Sequence, residues 1–175
     1  MRDYNALSEM QTRLLANDII DLVGNVDGDM AVYVREAILR AVSQPAARQN
    51  NWPELLFPIT TNGGEITAGF DIYDLIKTYP GHTIGRVYAG AHSIGAIILQ
   101  ACDVRQCLPH AGILIHNPKN YLSWDERNDP EKLQEKLNDL DRERQNILEI
   151  LSQRIGQTID KIAGLCAKAK NLTAQ

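Results

Sequence analysis

Apolar residues along this chain fall into short blocks whose spacing switches between strand and helix periods. The first block, Ile19 to Val23 (IIDLV), ends at Gly24-Asn25 and predicts a buried strand followed by a turn. Asp27 or Gly28 can cap a helix over Asp29 to Ser43, where Met30, Val34, Ala37, Ile38 and Ala41 make one helical stripe. A loop rich in turn formers spans Gln44 to Glu54. Leu55 to Ile59 then predicts a strand, and Pro58 predicts that it is an edge or lies beside a bulge. Thr60 to Gly64 break the chain. Glu65 to Tyr79 predicts a helix stopped by Pro80-Gly81.

The second half continues the alternation. Thr83 to Ala89 predicts a strand, Gly90 to Ser93 a tight turn, and Ile94 to Cys102 a helix apolar on nearly every side. Gly112 to Ile115 predicts a short strand, with a polar loop running to about Asn128. Asp129-Pro130 predicts a cap and first turn for a long helix ending at Ile155-Gly156. Its apolar face carries Leu133, Leu137, Leu140, Ile147, Leu148 and Leu151. Packing on its own domain and docking to another subunit are both open to such a stripe. A last helix is predicted from Thr158 to Lys170. Strands alternating with helices imply an α/β domain with largely parallel strands.

The length, 175 residues, suits one globular domain over 1–175. Lys plus Arg total 18 against 22 Asp plus Glu, and no basic patch stands out. That argues against nucleic acid or an anionic membrane as the main partner. The longest apolar runs are too short to span a bilayer. The N-terminal MRDYNALSEM lacks the layout of a secretory signal. Cys102, Cys107 and Cys166, odd in number and without CxxC spacing, predict reduced thiols acting as small hydrophobes in a cytoplasmic protein.

Three segments carry candidate chemistry. Gly90-Ala91-His92-Ser93-Ile94-Gly95 is a strand–turn–helix junction with Ser93 at the helix start. A serine there can attack a carbonyl, and the N–H of the next residue can hold the oxyanion. A serine is also a routine N-cap. Gly63-Gly64 lets backbone N–H groups approach a ligand, or is a simple turn. His116 ends the strand Gly112 to Ile115, where parallel sheets collect ligands. It can act as general base or be structural. His92 adjoins Ser93, but neighbouring side chains point apart, which makes it a poor base. His82 and His110 fall in loops and carry no signal.

In this order, the glycine pair, GAHSIGAIIL and ILIHNP resemble the Clp protease proteolytic subunit family. NGGEITAGFDIYDLI, RLLANDIIDLVGNVDGDMA and IGQTIDKI extend the resemblance over nearly the whole chain. It implies the ββα spiral shared with crotonases and a serine endopeptidase that works through an acyl-enzyme. Ser93 would be the nucleophile and His116 the general base. The N–H groups of Gly64 and Ile94 would form the oxyanion hole. The flanks of Gly63-Gly64 and the Pro118 loop would hold the peptide as an added strand. The helix from Pro130, about 130–155, would be the handle that joins two rings face to face. The implied partners are further copies in a ring, a peptide or unfolded-protein substrate and an ATP-dependent unfoldase. No cofactor or metal is implied.

The resemblance also carries departures. The family's triad aspartate aligns with Ala169, which cannot orient His116. Losing that carboxylate costs a serine protease roughly four orders of magnitude in turnover, so restoring it with Ala169→Asp should raise activity. Asp160 or an acid from a neighbouring subunit would be replacements. KNYLSWDERNDPE stands where the family has a glycine-rich strand, and Asn62 stands where it has a proline. The chain stops at Thr173-Ala174-Gln175, where the family adds a short segment, so a shortened C-terminus is expected. Two other classes remain in view. One is a non-catalytic structural ring subunit, motivated by Ala169. The other is a crotonase-type acyl-CoA enzyme, for which the chain is short.

Overall fold

The computed structural model describes residues 9–44, 51–119 and 122–173. Most of the loop expected over Gln44 to Glu54, part of the polar loop before Asn128, the first eight residues and Ala174-Gln175 lie outside them. The chain divides into two compact units, Met1–Ile113 with Leu172–Gln175, and Leu114–Asn171.

The first unit opens with helix α1 (Glu9–Leu15), followed by strand β1 (Leu22–Val23) and helix α2 (Gly28–Val42). Asp27 caps α2 by accepting a hydrogen bond from Met30 N at 3.0 Å. The stripe read from the sequence is its buried face, except that Met30 is only half-buried. Strand β2 (Leu55–Thr61) and helix α3 (Ile66–Lys77) follow. Then come β3 (Thr83–His92), α4 (Ile94–Ile98), a single 3-10 turn over Leu99–Ala101, and β4 (Val104–Cys107).

The pairings of β1 with β2, β2 with β3 and β3 with β4 are parallel. Leu22 pairs with Ile59, Leu55 with Thr83, and Ile84 with Val104. The first-unit ends of β5 (Gly112–Ile115) and β6 (Lys170–Thr173) continue the sheet in the order β1-β2-β3-β5-β6, with β4 also paired to β3. Phe57, Ile59, Val87, Ile72 and Ile94 form the buried centre between sheet and helices. Each such side chain contributes about 1.5–3 kcal/mol by leaving water.

Pro58 does not mark an edge, because β2 runs between β1 and β3. Leu56 N donates to Asp18 O and Leu56 O accepts from Ile20 N, so alternation turns the Pro58 nitrogen toward β1 as well. Pairing there is sparse, and a missing donor is tolerated. The expected irregularity does occur one residue later. Between the pairs Ile59–Val87 and Thr61–Ala91, β2 advances two residues and β3 advances four. This bulge lets β3 run on through His92, beyond the predicted end at Ala89. The predicted tight turn thereby shrinks to Ser93.

The second unit is mostly helical. It holds α5 (Trp124–Asn128), α6 (Pro130–Ile155) and α7 (Ile159–Ala167). Asp129 caps α6 through Glu131 N and Lys132 N, Pro130 fills its first turn, and Gly156 ends it at φ 69°. Ile147, Leu148 and Leu151 are buried, Leu133 and Leu140 are half-buried, and Leu137 is 47% exposed. The last helix stops at Ala167, short of the predicted Lys170, and β6 takes over. Among the described residues no helix is long and apolar enough to cross a membrane.

Candidate active site

Ser93 is the whole of the connection between β3 and α4. Its backbone sits at φ 56°, ψ −125°, a sparsely populated region for a residue with a Cβ. Such a conformation costs about 1–3 kcal/mol and persists only where the surroundings over-determine it. The surroundings here do so. Ile94 and the next four residues are buried, which anchors α4. Gly95 lets α4 approach β2 so closely that a Cβ there would meet Thr61 Cγ2 at 2.3 Å. Ser93 does not cap α4 with its side chain, so the routine reading of the serine is not the one the structure adopts. Its Oγ is left for other work, and the first N–H groups of α4, beginning with Ile94, lack intrahelical partners.

The glycine pair lies directly against this corner. A Cβ on Gly63 (φ 97°) would sit 2.7 Å from Ser93 Cβ and 3.3 Å from Ser93 Oγ. Only a glycine allows β2's exit to pass this close. A Cβ on Gly64 (φ 155°) would meet Val26 O at 2.1 Å. The pair is strapped in place by Gly63 N donating to Thr61 Oγ1, Val26 N to Gly63 O and Glu65 N to Val26 O. Thr61 Oγ1 in turn donates to Gly24 O at 2.6 Å. These bonds tie the Gly24–Val26 and Thr61–Glu65 segments together against the Ser93 corner.

A cleft of about 510 Å³ opens beside the corner at the C-terminal ends of β1, β2 and β3. Val23, Asn25, Asn62, Gly63, Gly90 and His92 are among its walls. His92 turns from Ser93 and bonds Asn62 Oδ1 through Nδ1 at 3.1 Å. The sequence reading set His92 aside as a poor base and noted Asn62 only as a departure from the family's proline. The signal available was Asn62 itself, a polar residue where the family has proline.

In the second unit His116 follows the buried Ile115 at the end of β5 and is half-buried. Its Nδ1 lies 2.5 Å from the main-chain oxygen of Asn117. Asn117 Oδ1 is buried and without a hydrogen-bond partner among the described residues. Pro118 is half-buried and adjoins it. Ala169 is exposed, in the turn after α7, with a left-handed φ of 47°. Among the described residues no carboxylate forms an ion pair with His116; the histidine in such contacts is His82, facing Glu54 and Asp103. Asp160 sits in the first turn of α7. Ser93, Ile94, Gly63 and Gly64 therefore share one neighbourhood in the first unit, and His116, Pro118 and Ala169 belong to the second. Burial pushes the thiols of Cys107 and Cys166 up, which makes them poor nucleophiles.

Comparison with protein families agrees with the resemblance. The Clp protease family model matches residues 2–175. The chain belongs to the Clp protease family, whose members are serine-type peptidases and generally form oligomeric rings.

Proposed function

We propose that this chain is a serine endopeptidase subunit that works in a cytoplasmic homo-oligomeric ring. One observation carries the reading: Ser93 is held at φ 56°, ψ −125° against a glycine, with its hydroxyl unused in capping. Strain of this kind, at a strand-to-helix corner, suits an exposed nucleophile. Ser93 Oγ attacks the scissile carbonyl while His116 takes its proton. The N–H groups of Gly64 and Ile94 stabilise the oxyanion. His116 then protonates the leaving amine, and water repeats the sequence to release the acyl group. The flanks of Gly63 and the Pro118 loop bind an extended peptide or unfolded protein by its backbone. The fold is a single ββα-spiral domain with α6 as handle, and an ATP-dependent unfoldase is the partner that would feed it.

Hydrolysis of a fluorogenic peptide by the assembled protein tests this. Turnover should fall to background in Ser93→Ala and in His116→Gln. Undiminished turnover in Ser93→Ala would remove the serine from the reaction.

A second reading, a non-catalytic ring subunit, draws on the exposed methyl group of Ala169 where the triad acid aligns. It expects defined oligomers with no turnover, even in Ala169→Asp.

A further inference from the structure

We infer that the main-chain carbonyl of Asn117 stands in for the missing triad carboxylate and holds His116 in the tautomer a general base requires. The role of His116 as base rests on the peptidase reading above; its tautomer does not.

A neutral imidazole carries one N–H, on either nitrogen. A carbonyl oxygen accepts hydrogen bonds and cannot donate them. The 2.5 Å contact between His116 Nδ1 and Asn117 O therefore requires the hydrogen on Nδ1. Nε2 is left with a lone pair, as proton abstraction from a serine demands. An unconstrained neutral histidine in water prefers the hydrogen on Nε2, so this contact reverses the default. The sequence also explains why the acceptor stays put. Pro118 confines the residue before it to extended backbone, which fixes the direction of the Asn117 carbonyl. Pro118 has no N–H of its own to compete for an acceptor.

A carbonyl does part of a carboxylate's work. It orients the ring and selects the tautomer. It adds no negative charge to stabilise the imidazolium. When a triad aspartate is changed to asparagine, the wrong tautomer accounts for the loss. With the tautomer already secured, Ala169→Asp has only the charge beside the imidazolium left to supply.

The test uses the full-length protein with 15N-labelled histidine. The His116 signals are assigned by their loss in His116→Gln. In the neutral form Nδ1 should resonate as a protonated nitrogen and Nε2 as an unprotonated one. The reverse pattern overturns the inference. A second measurement replaces Pro118 by lactic acid, an α-hydroxy acid without the ring, with Pro118→Ala as the control for loss of the ring. The hydroxy acid turns the Asn117 carbonyl from an amide into an ester, a weaker acceptor, and removes no donor. Labelling of Ser93 by a fluorophosphonate should slow roughly two- to tenfold, the kinetic equivalent of one neutral hydrogen bond, and the His116 Nδ1–H proton should move upfield. Both unchanged would overturn the inference. So would a gain of about a thousandfold or more in Ala169→Asp, against an expected gain below about tenfold. The two claims fail separately. Absent labelling of Ser93 with the hydrogen on Nδ1 defeats the peptidase reading alone. Labelling of Ser93 with the hydrogen on Nε2 defeats this inference alone.

Discussion

The corner that carries Ser93 and the loop that carries His116 are built on different plans. At the corner, the Gly24–Val26 and Thr61–Glu65 segments meet the start of α4, two glycines pass within clashing distance of their neighbours, and a hydrogen-bonded strap from Thr61 through Val26 fixes the exit of β2. A strained serine persists there because close packing and the strap hold the backbone in place. At His116 the restraint is one neighbouring carbonyl, next to an unpartnered Asn117 Oδ1, and the position where an acid aligns, Ala169, is exposed. A nucleophile can be positioned by close packing of backbone. A base needs a chosen acceptor for one nitrogen, and for the proposed base His116 the Asn117 peptide group offers one.

That contrast can be broken most severely at Gly64. Gly64→Ala drives a methyl group to 2.1 Å from Val26 O. The strap must give way, and unfolding in urea should show a loss of about 3–5 kcal/mol. A midpoint near wild type would mean the corner is not over-determined. Next in size is Gly63→Ala, whose methyl group would press on Ser93 Cβ at 2.7 Å. Displacing the nucleophile by about an ångström should slow fluorophosphonate labelling roughly a hundredfold.

The His116 side responds more weakly. Ala169→Gly removes the penalty of a Cβ at φ 47° and should stabilise the protein by about 0.5–1 kcal/mol, after the greater chain entropy of glycine is deducted. Thermal unfolding reads this, and a loss of stability would contradict the left-handed turn. The smallest effect belongs to Asp103. Burial alone would raise its pKa, but hydrogen bonds from Thr83 N and Oγ1, with His82 and Lys77 nearby, leave it lowered. Its contribution is fully present above the unfolded carboxylate value near 4. It is lost as pH falls through the lower folded value. Asp103→Asn should flatten the acid limb of the stability curve.

Much of the corner was legible because its constraints are written as residue types. The stripe of α2 has one physical meaning, whereas the glycine pair and the small-residue junction each have two in the sequence. The same logic located Asp129, Pro130 and Gly156 at the ends of α6. What escaped carries less hydrophobic contrast. β4 sets Arg105 and Gln106 between Val104 and Cys107 and shows no apolar run. α5 is polar after Trp124, although Ser123 and Glu126 form a capping box that marks its start. The end of β3 was misjudged because Gly90 resembles a turn former, whereas the bulge keeps the strand going. The Asn117 carbonyl had no sequence signal beyond the proline that follows it, since every residue but its neighbour looks alike at the main chain.

The most direct test of the account is peptide mapping by mass spectrometry after reaction with a fluorophosphonate. The account predicts one adduct, on the peptide containing Ser93, absent in Ser93→Ala. An adduct on another residue, or one that persists in Ser93→Ala, would contradict it.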